Sequence, residues 1–339
     1  MEANRVHAYR GGAYIAGIPP LRWGKWMDCS YAGCETALLR ALGLDISYEE
    51  AMGLSGSCYR ADMREDWDPS SEMPQNGLSC EQNVARTAGI AVYALSDDEE
   101  RVARAVQSLE AGVPVLTVGQ RAAPEWCLTC GYFMEAGRPV FFGRSYFDGG
   151  AAQERHTPEG YLVADRFPGM YPASLCRFYD RPGDSISRRE ALKVSLETCL
   201  RMFEQPPGPE HRYGYDAYDI LIRGLLLDDE GYRAIYPYAQ YHIGSLQDAR
   251  RAAWRFLEHS AELLPEENRN RLRQAAGIYR RMLENLLGVV PYDQSAIVHH
   301  TASPFWGLPI RRRLADALRE NRMLENQVRA VVGRVLAEW

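Results

Sequence analysis

The chain has 339 residues, a formal net charge of −6, 46% hydrophobic residues and 25% charged residues. That length suits two domains or one large one, with a core that needs no disulfide staple. The acidic balance excludes a general electrostatic nucleic-acid binder, and no apolar run approaches the ~20 residues of a membrane span, so no nucleic acid and no membrane is expected as a partner.

Of the 39 basic residues only Lys25 and Lys193 are lysines, a bias that reads as GC-rich codon usage rather than chemistry. Residues 1–7 contain no basic region followed by an apolar stretch. The expectation is therefore a cytoplasmic protein whose eight cysteines are reduced thiols.

In chain order, Cys34, Ala37, Leu38, Ala41 and Leu42 recur at helical spacing, and Gly43 ends that helix. Ser47 and Glu50 form a capping box that opens a short helix through Met52, and residues 53–56 break it into a loop. Ser79 caps a further helix that ends at Gly89. Residues 90–95 predict a strand. Residues 97–110 predict a helix with acids in its first turn and Val102, Val106 and Leu109 facing inward. Strands follow at 113–118, 125–133, 138–146 and 160–167, with 174–179 as a fifth. Short connections between consecutive strands predict an antiparallel meander. Beyond the turn at 180–184 the pattern is helical, at 187–203, 215–227, 246–264, 266–287 and 311–336. The expected fold class is α+β: a mixed domain over 1–183, an all-helical domain over 184–339, and a cleft between them.

Phosphate loops, dinucleotide fingerprints, zinc-protease motifs and the nucleophile elbow are all missing. No cofactor and no metal is expected. What remains is cysteine. Cys29 and Cys34 fall at or near the start of the first helix. A thiol there feels the positive end of the helix, which lowers its pKa, and the free N–H groups can bind an oxyanion. Cys34 also lies on the apolar face, where a cysteine serves equally as a small core residue.

The run Cys34–Leu38, the helix ending at Gly43, and the stretch from Ser47 to Gly56 resemble the start of the butirosin biosynthesis protein H N-terminal family. That family is a branch of the papain-like cysteine peptidases, near the peptidases that process bacteriocin leaders. Gly112–Val115 and the strand ending in Gly131 and Tyr132 are similar to the same superfamily's later signature, and Arg144–Asp148 follow as its next strand. The resemblance covers about residues 20–180. It implies a papain-like domain with a helix-borne Cys packed on an antiparallel sheet. It also implies a Cys nucleophile that attacks an amide or thioester carbonyl, with a strand-borne His as base and a carboxylate to orient it. Asp148 matches the end of the strand where that carboxylate sits.

The chain departs from this pattern at the base. The superfamily's His stands six residues before the Gly of its Gly-Tyr, which here is Glu125. No His occurs between His7 and His156, and no Gln before Gln75, so the oxyanion Gln is also missing. A carboxylate beside a thiol raises the thiol's pKa, the wrong direction for activation. His156, His299 and His300 are the other imidazoles to consider. The spacing to the glycine that closes the helix suits Cys29, and the local sequence suits Cys34. Asp148 alternatively ends a turn with Gly149 and Gly150. Cys127 and Cys130 sit on the strand where the base would be, as buried strand residues.

Candidate substrate contacts are Ser55, Gly56, Tyr59, Arg60 and Trp67, from a long polar-aromatic loop, and Trp126 beside Glu125. Tyrosines at 213–218 and 232–241 suit either a cleft surface or helix packing. Two functions stand open. One is a cysteine-dependent acyltransferase or amide hydrolase acting on a small-molecule, acyl-carrier or peptide substrate. The other is a catalytically inactive papain-like protein that binds a small molecule or peptide in the interdomain cleft. Self-association as a homo-oligomer, through the Arg-rich final helix, is left open.

Overall fold

A computed structural model describes residues 6–339 except 22, 70–79, 120–124, 147, 149–155, 158, 164–175, 205, 207 and 295–301. The expected helix cap Ser79, His299 and His300, and the Gly149–Gly150 pair lie outside the described residues. In chain order the first elements are β1 (Val6–Tyr9), β2 (Gly12–Ile15), α1 (Ser30–Ala41), α2 (Tyr48–Ser55), β3 (Asp62–Arg64), α3 (Cys80–Arg86), β4 (Ala91–Tyr93), α4 (Asp98–Glu110), β5 (Val115–Val118), β6 (Trp126–Glu135), β7 (Arg138–Ser145), β8 (Leu162–Val163) and β9 (Phe178–Asp180). Then come α5 (Arg188–Arg201), β10 (His211–Tyr213), α6 (Gly214–Leu225), α7 (Asp229–Ser260), α8 (Glu266–Leu287) and α9 (Leu308–Ala337). The chain forms two compact units, Met1–Ala51 with Ala85–Ser185, and Met52–Val84 with Ile186–Trp339.

The first unit is mixed α and β around the long strand β6. One edge of β6 pairs with β7 over its length, from Cys127 opposite Ser145 to Glu135 opposite Arg138. The other edge is shared. β5 takes Trp126 to Thr129, and β2 takes Gly131 and Tyr132. All these pairings are antiparallel, in the order β1-β2-β6-β7-β8. The β6–β7 turn places Ala136 (φ 50°) and Gly137 (φ 77°) in the left-handed region, which matches the twist of a tight hairpin. The hairpin β1–β2, absent from the sequence expectation, turns the same way at Arg10 and Gly11. A bulge between Thr129 and Gly131 breaks the side-chain alternation beside Cys130.

Helix α1 packs on β5 and β6. It begins at Ser30, with Cys29 as N-cap, and Gly43 (φ 82°) ends the turn beyond it. The helix starts earlier than the apolar repeat indicated, because Tyr31, Ala32 and Gly33 are buried too. Gly33 allows a close approach: a Cβ there would lie 1.8 Å from Oη of Tyr146. α2 opens on the expected capping box, with Ser47 N–H donating to Glu50 at 3.0 Å and Glu50 N–H to Ser47 Oγ at 3.1 Å. Asp97 caps α4 by accepting from Glu100 N–H at 2.9 Å.

The second unit is helical, with the small antiparallel pair β3–β10. α8 packs against α7 and α9, and α9 also packs on α5 and α6. Ser187 and Glu190 close a capping box on α5. α7 starts at Asp229, well before the expected 246, and runs through Pro237. Asp228 secures that early start by accepting from Gly231 N–H at 2.8 Å. α2 continues through Gly53 to Ser55 rather than ending at Met52. Tertiary packing explains that extension, since the ring of Phe256 occupies the space a Cβ at Gly53 would fill, 2.0 Å from its Cγ. Among the described residues no helix is long and apolar enough to cross a membrane.

Candidate functional site

In the first unit the structure brings the predicted thiols and Glu125 together. Cys34 is the fifth residue of α1 and fully buried, so it stands past the first turn where unpaired N–H groups occur. Its thiol is pushed well up by burial, and Cys127, Glu125, Cys130 and Cys29 add to the shift. Burial lifts Cys130 as well. All eight cysteines are buried, and none is in a disulfide. Cys29, 7% exposed, holds the N-cap, and its own N–H donates to Tyr48 Oη at 2.9 Å.

The histidines of this unit are remote in role from the thiols. His7 stacks on Tyr14 at 5.3 Å, and His156 bridges to Leu162, both exposed. Asp148 Oδ1 accepts from Ser145 N–H at 3.0 Å, which closes a turn at the end of β7. Trp126 packs edge-on against Tyr31 at 5.8 Å, and its backbone N–H donates to Ser30 Oγ at 3.4 Å. Glu35, which the sequence did not single out, is a fully buried carboxylate on α1 that accepts from Tyr31 and, at 3.3 Å, from Tyr179. The arrangement is acidic and enclosed, the reverse of what activates a thiol.

The second unit contains an open cleft, about 550 Å³ of space with open solvent included. Its polar lining is Arg60, Asp62, Tyr218, Tyr241, His242 and Ser245. Met63, Leu221 and Leu246 supply apolar wall. Behind Tyr218 stands a buried ion pair. Tyr218 Oη donates to Glu325 Oε1 at 3.0 Å and accepts from Arg250 Nη2 at 3.2 Å. Arg250 also donates to the carbonyls of Cys58 (3.0 Å) and Arg60 (3.1 Å), tying the residues before β3 to α7. Asp62 pairs with Nδ1 of His211 at 2.8 Å.

His242 Nε2 lies 3.1 Å from the backbone carbonyl of Trp67. A carbonyl only accepts, so Nε2 carries the proton. The Trp67 ring packs edge-on to the imidazole at 5.6 Å. Trp67 has φ 62°, a left-handed conformation uncommon for a large residue. Gly224 makes room for its ring, since a Cβ there would lie 2.2 Å from Cζ2. Burial lowers the His242 pKa to about 4, so the ring is neutral. No protein-family model matches this chain, and no curated protein matches it.

Of the predicted substrate contacts, Arg60 lines this cleft and Trp67 backs its histidine. Ser55 and Tyr59 are fully buried elsewhere in the unit. Ser55 Oγ donates to the Met52 carbonyl at 3.2 Å, and Tyr59 Oη bonds Ser195 Oγ at 3.1 Å. Gly56, at φ 81°, caps the turn that follows α2. Sequence reasoning missed Asp62, His242 and Ser245. The available signal was the helical spacing of Tyr241, His242 and Ser245, hidden because the first half of α7 was not read as helix.

Proposed function

We propose that this chain is a papain-like protein whose helix-borne cysteine no longer acts as a nucleophile, and that it binds a small organic molecule in the cleft of its second unit. The observation that carries this is Cys34 itself, fully buried among thiols and Glu125 with its pKa raised. A helix on an antiparallel sheet supports the papain-like part of the reading. The cleft supports the binding part, because it combines apolar walls with a few converging polar groups. Eight thiols outside any disulfide are consistent with a reducing, cytoplasmic setting.

A fragment screen by protein-observed NMR tests the proposal, run on the wild type and on Leu246→Trp, which fills the cleft. Fragments are expected to shift the amides of His242 and Ser245 in the wild type and to lose that effect in the variant. A screen in which no fragment touches these residues overturns it.

One observation favours a second reading, thiol-dependent acyl transfer or amide hydrolysis. Cys29 is the N-cap of α1 and keeps a little exposure. Fast, pH-dependent alkylation of Cys29 by iodoacetamide would establish that reading in place of the first.

A further inference from the structure

We infer that the ligand of the His242 cleft is an uncharged molecule with a hydroxyl group on an apolar body, and that this hydroxyl donates to Nδ1 of His242 and accepts from Ser245 Oγ. The inference rests on the binding reading above and specifies its ligand.

The protein leaves two polar atoms at this cleft unpaired. Nε2 of His242 is committed to the Trp67 carbonyl, so the neutral ring keeps its lone pair on Nδ1. Among the described residues that nitrogen has no hydrogen-bond partner. Ser245 lies three residues further along α7 and lines the same cleft. Its Oγ is buried and, among the described residues, unpartnered. A buried polar atom without a partner is costly, and a ligand that supplies the missing partner recovers that cost. His242 itself is only 9% exposed.

These two atoms want different things. Nδ1 can only accept, whereas a serine hydroxyl both donates and accepts. A carboxylate, ketone or ether on the ligand accepts only, and would set a lone pair against that of Nδ1. An ammonium group could donate to both atoms, but it would have to give up its hydration in a cleft with apolar walls. A hydroxyl fits both atoms without carrying a charge into the cleft. Met63, Leu221 and Leu246 then cover an apolar body such as an aromatic ring.

The test uses the full chain with ¹⁵N-labelled histidine and two probes that differ by one methyl group on the oxygen, p-cresol and its methyl ether 4-methylanisole. The expected result is that p-cresol moves the Nδ1 resonance of His242 and binds about tenfold or more tightly than the ether. Ser245→Ala is expected to narrow the difference, and His242→Phe to abolish it while the ether still binds. Equal affinity for the two probes, or p-cresol binding that leaves Nδ1 unmoved, overturns the hydroxyl assignment and leaves the cleft reading intact. Failure of both probes while other fragments still bind the cleft does the same. Failure of every fragment at the cleft overturns both readings together.

Discussion

Nη2 of Arg250 donates to Oε1 of Glu325 at 2.7 Å, and neither side chain is exposed to solvent. A pair held at this depth is costly to break from one side, because the remaining charge is buried without its partner. Glu325→Ala is expected to cost about 3–5 kcal/mol in urea unfolding. Glu325→Gln, which keeps an acceptor for Arg250 and Tyr218, is expected to cost clearly less. The same substitutions should weaken ligand binding in the cleft, since Tyr218 Oη is placed by this pair.

His242 gives the protein an acid sensitivity of definite sign. Its pKa falls from 6.5 in the unfolded chain to about 4 in the folded one, chiefly through burial. Between those values the unfolded state binds the extra proton. The stabilisation is therefore fully present above pH 6.5 and is lost as pH falls toward and through 4, about 3 kcal/mol in all. Measured at pH 7, 5.5 and 4, the unfolding free energy of the wild type should fall relative to that of His242→Phe as pH falls. Parallel curves would contradict the burial of the imidazole.

Gly33 and Tyr146 are coupled through contact. Gly33→Ala places a Cβ against Tyr146 Oη, which donates to the Met27 carbonyl at 2.7 Å. The expected loss is about 1–3 kcal/mol by overpacking. Tyr146→Phe removes the clashing oxygen, so the double variant should be more stable than the sum of the single losses predicts. A thermal-melt double-mutant cycle measures that coupling.

The folded protein should resist thiol reagents. Cys34 is expected to stay unlabelled by iodoacetamide under native conditions at pH 8 and to react at the rate of an ordinary thiol once the chain is unfolded in urea. Peptide mapping by mass spectrometry reads each site separately. Native labelling of Cys34 faster than a free thiol would restore it as a nucleophile.

Much of the fold is legible wherever local rules agree with packing. The periodic run at 266–287 is α8 residue for residue, and the expected capping box at Ser47 is present. Local rules mislead where a residue type contradicts its surroundings. The helix expected from 246 begins at Asp229 and passes through Pro237, because a long packed helix can absorb one missing N–H. Gly53 reads as a loop residue, yet it lies in α2 against Phe256. That no His occurs between His7 and His156 is visible in the sequence, but the depth of Cys34 is not. Of the candidate substrate contacts Arg60 reaches the cleft, while Ser55 and Tyr59 turn inward, and no local pattern separates them.

The sequence by itself determined the acidic, thiol-rich character of the chain, its mixed α and β content with a helical C-terminal part, most helix limits, and the absence of any His between His7 and His156. These are local properties, written in spacing, capping and residue type. Only the tertiary structure decided that Cys34 is sealed, that Arg250 and Glu325 lock Tyr218, and that the Trp67 carbonyl occupies one nitrogen of His242 and leaves the other unpaired. Burial and leftover hydrogen-bonding capacity depend on partners up to 192 residues away in sequence, and such distances leave no period or motif to read.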